Sequence, residues 1–473
     1  MRNLSITVSG FVPLFFLLFA SLHAVKAQVT PVDPQTAAQL QTKLDQLHTA
    51  SNLKGLSASV IIPGKGVWKG VSGISHAGVP LDTAMVFGFA SVTKTFTAAG
   101  IMLLHQDGLL SINDSLHEYL PAYPNIDSSI TIRQLLNHTS GIFNYFDNTS
   151  WYSTVNNNPS QAMTPQFVLN NYVNTPYFAP GAGHQYSNTN YLILGMIIEQ
   201  VSGQSFAQFT RQRLLNPLQS GSIYVREHEP ATGVLPHNWW GAPGGPANDI
   251  YTMPMTACFG TSASEAGMAG NARDLARWGQ LLFTGAVLHD SLLMMMKQFV
   301  PLNGTLFSGY GLGLMRISSG NTQAWGHNGN FRGFSSAVFF SPADSIVVSV
   351  LSNQSADLTN IAWSLLSTSR QALDVATIEE KDSRDALVCY PNPVQGTGHI
   401  QYAIGKRQHV EITLHNSLGQ TVRTLLSQPQ NGGRHRLTVD TKALAPGVYF
   451  CTLRTAGGRV VQRWVVAQYS TPL

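Results

Sequence analysis

The chain of 473 residues is long enough for more than one domain and for a sizeable core. An apolar content of 44%, a charged content of 11% and 42 glycines suit a loop-rich exported protein and exclude a disordered one. The net charge of +4 gathers after Cys389, where nine lysines and arginines from Lys406 to Arg463 face only Glu411 and Asp440; without a basic helix or stacking aromatics, this excludes a nucleic-acid-binding surface.

At the N-terminus, Arg2, an apolar run around Phe11 to Leu22 and the small residue Ala27 predict a secretory signal peptide over residues 1–27. A retained anchor is the alternative, but Pro13 interrupts the run and it is short for a span. No later stretch is apolar enough to cross a bilayer, so the mature chain is expected to lack a transmembrane span and to be secreted or held at the cell surface.

From residue 28 the apolar spacing predicts a helix over 34–47 and a β-hairpin over 56–71 with its turn at Pro63-Gly64-Lys65. Next comes Phe89-Ala90-Ser91-Val92-Thr93-Lys94, read as a loop opening into a largely buried helix that stops near Gly108. Residues three apart share a helix face, so Lys94 lies one turn from Ser91. A serine hydroxyl is a poor nucleophile until a neighbour accepts its proton, and a desolvated lysine can do so. Alone, Ser-x-x-Lys more often describes an exposed helix start; the apolar residues after Lys94, from Phe96 to Leu104, argue against that.

A short capped helix is expected over 130–141, then a loop over 143–159 overhanging a site, helices over 164–172, 188–201 and 206–215, and a loop over 239–246. A helix over 272–282 with Asn271 as N-cap, strands over 310–317, 324–327, 334–340 and 345–351, and a last helix over 358–373 complete this part. The order implies an α+β domain over residues 28–375, an antiparallel sheet flanked by helices. A charged linker over 376–386 leads to alternating strands over 387–473, a small all-β immunoglobulin-like sandwich with turns at Asn416-Ser417-Leu418-Gly419 and Thr455-Ala456-Gly457-Gly458. The three cysteines, Cys258, Cys389 and Cys451, lack metal-ligand spacing; the last two either pair or remain buried thiols.

Two further clusters complete a candidate site. Tyr186-Ser187-Asn188 follows the turn Pro180-Gly181-Ala182-Gly183, where a phenol beside Lys94 is expected to favour its anion and act as a general base, and Asn188 to hold Lys94 and a substrate amide. Read separately, Tyr186 is better taken as a packed aromatic and Asn188 as a helix cap. His327-Asn328-Gly329 closes a strand where glycine permits close approach of a ligand, with His327 offering a hydrogen bond; a structural histidine is the alternative.

Together Ser91-x-x-Lys94, Tyr186-x-Asn188 and His327-x-Gly329, with Leu135 to Gly141 and Tyr310-Gly311-Leu312-Gly313, resemble the class C serine β-lactamase and D-alanyl-D-alanine carboxypeptidase superfamily over about residues 40–373. The resemblance implies acyl transfer with no cofactor and no metal. Ser91 attacks a carbonyl, Lys94 and Tyr186 manage the proton, the N–H groups of Ser91 and Asn330 bind the oxyanion, and Asn188, His327, Gly329 and Tyr310 contact substrate. Class C enzymes have Lys-Thr-Gly where this chain has His327-Asn328-Gly329, which points to the carboxypeptidase, D-aminopeptidase and esterase members; Arg332 is a candidate replacement cation. The implied partner is a small peptide, ester or β-lactam-like substrate, and a non-hydrolytic penicillin- or peptide-binding protein is the competing class. The tail, with Tyr390-Pro391-Asn392-Pro393, Leu418-Gly419-Gln420 and Leu444 to Tyr449, resembles the C-terminal sorting domain of the type IX secretion system, which implies recognition by that machinery. An adhesive or carbohydrate-binding sandwich is its alternative.

Overall fold

The computed structural model describes residues 30–467 apart from positions 305, 321, 382–385, 417–419 and 457; the expected signal peptide lies outside them. Nine strands form one antiparallel sheet in the order Val79–Pro80, Gly66–His76, Gly55–Ile62, Val347–Ser352, Phe334–Phe340, Thr322–Phe331, Met315–Ser319, Phe307–Tyr310 and Val300–Pro301. The two ends of the domain therefore meet at its centre, Leu56 opposite Ser352 and Ile61 opposite Val347. Both strands are buried along their whole length, because helices cover both faces.

On one face, Leu56, Ala58, Val60, Val348 and Val350 pack against Leu40 and Leu44 of the helix Pro34–Ser51 and against Ile361, Leu365 and Leu366 of the helix Thr359–Lys381. Alternate strand residues point to one side, which is why these positions share a core. The first helix starts where Asp33 accepts a hydrogen bond from the Thr36 N–H at 2.9 Å and Pro34 occupies the first turn, and it stops where Asn52 turns left-handed. The other face carries the larger core, with the helices Thr93–Gln106, Asn188–Ser202 and Ala272–Phe283. Every residue from Thr93 to Leu104 is buried, so the helix carrying Lys94 is an interior one. The expected α+β architecture is the one observed.

Several local expectations change. Residues 143–159 are not an open loop: Tyr145–Asp147 is a 3-10 turn and Thr149–Asn157 a helix, capped by Asn148 and anchored by buried Trp151 and Val155. The run 310–317 splits into two strands. The triplet His327-Asn328-Gly329 does not end a strand but lies within Thr322–Phe331, which continues to a two-residue turn at Arg332 (φ 48°) and Gly333 (φ 76°) before Phe334. Two successive positive φ values match the twist of a hairpin and let pairing run to its end. The last helix reaches Lys381, into the stretch read as linker. The strands Phe87–Gly88, Tyr224–Val225 and Met268–Gly270, which form a small separate sheet, are too short to show a period in sequence.

Beyond residue 385, three strands (Ala386–Tyr390, Thr397–Ile404, Gly433–Asp440) and four (Gln408–His415, Thr421–Gln430, Gly447–Thr455, Gly458–Val466) form two antiparallel sheets. Their inner residues, among them Ile400, Val410, Ile412, Leu453 and Trp464, make a third core. The turn residues 417–419 and 457 lie outside the described positions. Cys389 and Cys451 are buried free thiols, and Cys451 is held above its ordinary range first by a hydrogen bond with Cys389.

Candidate active site

Ser91 lies on the 3-10 turn Ala90–Val92 that leads into Thr93–Gln106. Ala90 before it has φ 46°, left-handed backbone that costs a non-glycine residue of order 1 kcal/mol and turns the serine toward the cavity. The turn is pinned from two sides. The Ser336 hydroxyl donates to the Phe89 carbonyl, and Trp278 stacks on Phe96 at 3.9 Å while its indole N–H donates to Thr95 at 2.8 Å. Gly329 permits the closest approach: a Cβ there would stand 2.5 Å from the Ser91 nitrogen and 2.7 Å from the Phe89 carbonyl oxygen. The strand can therefore lie against the Ser91 turn only with glycine at this position. Beyond Gly326, which pairs with Met315, that strand is paired on one side alone, so the backbone from 327 to 331 offers a free edge beside Ser91.

Lys94 is fully buried, with Nζ 3.1 Å from Ser91 Oγ, 2.7 Å from Asn188 Oδ1 and 2.9 Å from the Glu265 carbonyl oxygen. Which end of Asn188 faces Lys94 is fixed by its neighbour. Asn144 Oδ1 accepts from the Asn188 backbone N–H at 2.9 Å and from Asn188 Nδ2 at 3.2 Å, so the Asn188 oxygen must point to the lysine. Two of the three partners are thus pure acceptors. A neutral amine has two N–H groups for them and one lone pair, and the lone pair then points at the Ser91 hydroxyl. Burial pushes the Lys94 ammonium down to about 7, opposed by the Glu265 carboxylate.

Tyr186 is beside this pair, its ring 5.0 Å from Lys94 Nζ. The expected phenolate is not what this environment favours. Burial holds the phenol well above its ordinary range, with the Ser91 hydroxyl opposing and the Glu265 carboxylate adding to the rise. The Tyr186 hydroxyl is buried near the Ser91 hydroxyl and, among the described residues, makes no hydrogen bond within 3.5 Å, so its proton is available to a ligand. Its ring leans on His138 at 4.3 Å, whose Nδ1 accepts from the Ser187 backbone N–H and the Asn190 amide.

His327 is completely buried and is not on the cavity wall. Its Nδ1 donates to the Asn328 carbonyl, so Nε2 accepts from the Tyr310 hydroxyl at 2.9 Å, and burial pushes the imidazole down to about 3. It orients Tyr310, which is on the wall, rather than reaching a ligand. Asn188 likewise spends both ends of its amide on Lys94 and Asn144 and is absent from the wall. Arg332 is not at the cavity either: its Nη1 donates to Asn156 at 2.9 Å and its guanidinium lies 5.5 Å from the Trp240 ring.

The cavity measures about 430 Å³. Ser91, Tyr186, Tyr310, Asn328, Gly329 and Asn330 form one side, and Leu302, Phe307, Met315 and Ala356 give it apolar walls, with His184 and Asp357 completing the lining. Among the described residues no group of three or more His, Cys, Asp or Glu is placed to hold a metal, and no helix is long and apolar enough to cross a membrane.

Residues 40–363 match the family model described as Beta-lactamase. The chain belongs to the beta-lactamase family. Residues 388–467 match the Secretion system C-terminal sorting domain, which indicates export. A family relative, penicillin-binding protein 4 of Amycolatopsis lactamdurans, is 26% identical over 338 residues, which are 68% of this chain and 86% of the relative. A penicillin-binding protein of Bacillus subtilis is 34% identical over 177 residues, and there the chain spans only 38% of the relative. Among solved structures, a D-stereospecific amidohydrolase from Streptomyces sp. is 26% identical with a TM-score of 0.60, covering 70% of this chain and 97% of that one. D-amino acid amidase from Ochrobactrum anthropi SV3, 24% identical with a TM-score of 0.63 over 72% of this chain and 99% of that one, shares the fold.

Sequence reading missed Glu265. Its carboxylate is fully buried, accepts from the Tyr145 hydroxyl at 2.6 Å and from Ser264 at 3.2 Å, and burial pushes it up to about 7. The available signal was a single acid among the small neutral residues from Ser262 to Gly267. Because the Glu265 charge raises Lys94, Glu265→Gln should let the lysine lose its proton at lower pH. We expect the acid limb of kcat/KM to move down the pH scale. A limb that stays in place or moves up would remove Glu265 from control of Lys94.

Proposed function

We propose that the protein is an exported serine hydrolase that acylates Ser91 and releases the acyl group to water, acting on an amide or ester, foremost a D-amino-acid peptide or amide. The observation that carries this reading is the pair of acceptors on Lys94, which leaves its lone pair for the Ser91 proton. As Ser91 Oγ attacks the substrate carbonyl carbon, its proton passes to Lys94 Nζ. The oxyanion is received by the Ser91 and Asn330 N–H groups, with the first helical turn adding its positive end. Collapse of the adduct breaks the scissile bond while Tyr186 gives its proton to the leaving nitrogen, and the Lys94 ammonium then reprotonates the phenolate. Water completes the cycle by the same proton route in reverse. The similarity to a penicillin-binding protein and to a D-stereospecific amidohydrolase supports the amide as first substrate. Neutral His327, standing where class C enzymes carry lysine, favours an ester as second.

The test is a burst experiment with 4-nitrophenyl acetate on wild type and Ser91→Ala, with the acyl group located by mass spectrometry. Burst plus steady turnover, both absent in the variant, is the expected result. A stoichiometric burst without turnover would make the protein an acyl trap, and acyl label away from Ser91 would end the reading.

A further inference from the structure

Building on that hydrolase reading, we propose that the cavity selects substrates bearing a protonated amine next to an apolar group, and that Asp357 receives the amine. Among the described residues lining the cavity Asp357 carries the single formal charge, and neither lysine nor arginine is there. Burial pushes both nearby imidazoles, His184 on the wall and His327 behind it, below their ordinary range, so neither supplies a cation. Lys94 is beneath the wall, and Arg332 is directed at Asn156.

The Asp357 carboxylate is held in one orientation. Its Oδ1 accepts from the Asn328 amide at 3.1 Å, from the Thr359 backbone N–H at 2.9 Å and from the Thr359 hydroxyl at 2.6 Å. These bonds fill one oxygen and leave Oδ2 without a protein partner among the described residues. Asn328 is two residues before Asn330 on the free strand edge, so the fixed charge stands on the same wall as the reacting carbonyl. Leu302, Phe307, Met315 and Ala356 receive the apolar group. A pre-oriented anion attracts an ammonium without reorganising and repels a carboxylate, so the same residue that selects for an amine selects against substrates ending in an acid.

The experiment compares kcat/KM within two matched sets on the full exported chain. D-Phenylalanine amide against N-acetyl-D-phenylalanine amide varies charge on the acyl side. N-acetyl-D-phenylalanyl amides of ethylenediamine, propylamine and glycine place a cation, a methyl group or a carboxylate on the leaving side. Asp357 is solvent-exposed, so we expect the cationic member of one set to be preferred about 3-fold over its neutral partner, the scale of an exposed ion pair, with the glycine member slowest. Asp357→Asn keeps the Oδ1 acceptor, so the fold is retained while the cation-to-neutral ratio falls toward one. A ratio unchanged in the variant would reduce Asp357 to a helix cap, and equal or faster turnover of the glycine member would overturn the selection. Either result, obtained with nitrophenyl ester turnover intact, leaves the hydrolase reading standing; loss of acylation at Ser91 would overturn both.

Discussion

Replacing Lys94 by methionine is expected to lower kcat/KM by about 1000-fold on any substrate, within the span of general base contributions. The methionine fills the buried site left by an amine held between Asn188 and Glu265, but it has no lone pair basic enough for the Ser91 proton. The wild-type pH profile supplies a second readout. Lys94 accepts a proton only when neutral, so kcat/KM should fall as pH drops through about 7, and that limb should vanish in the variant. The loss is separable from unfolding. The folded lysine titrates near 7 against about 10.5 in an unfolded chain. The unfolded state therefore binds more protons between those values, and burying the lysine at pH 7 costs stability on the order of a few kcal/mol. Lys94→Met should melt close to wild type at pH 7, because relief from burying the lysine offsets the loss of a donor to Asn188 Oδ1 and the Glu265 carbonyl, and a well-folded variant with wild-type rates would refute the base assignment.

Tyr186→Phe separates an acid from a base at the same position. With its hydroxyl protonated and that proton available to a ligand, Tyr186 is placed to protonate a leaving amine, and its loss should slow amide hydrolysis by about 100-fold. A nitrophenyl ester releases a phenolate that needs no proton, so its acylation should change only a few-fold. If Tyr186 were the phenolate base expected from sequence, acylation by both substrates would collapse together. Because the Tyr186 hydroxyl makes no hydrogen bond within 3.5 Å among the described residues, its removal should leave the thermal midpoint nearly unchanged. Equal losses on amide and ester would restore the base reading.

Much of the architecture was legible because it is written in periodicity and turn chemistry. A short β-run marked the strand Phe334–Phe340, alternation marked Gly447–Thr455, and the spacing of Leu40 and Leu44 marked the first helix. The three-residue step from Ser91 to Lys94 is local geometry, which a helix alone converts into a contact. Length-based boundaries were less legible: neither the extension of Thr359–Lys381 nor the helix Thr149–Asn157 has a sharp composition edge, and Trp151 reads as an isolated aromatic until its burial is seen.

Roles, unlike positions, depended on surroundings that sequence does not contain. Sequence placed Ser91, Lys94, Tyr186 and His327 among the candidates, since their chemistry is a property of the side chain. Folding decided that Lys94 is driven toward the neutral amine, that Tyr186 keeps its proton and that His327 holds Tyr310 instead of a ligand, since a pKa and a hydrogen-bond partner are set by burial and by residues far along the chain. Glu265 meets Lys94 across 171 positions, and Asp357 reaches the cavity wall through Asn328, 29 positions away. Those encounters exist only once the sheet has brought distant segments together.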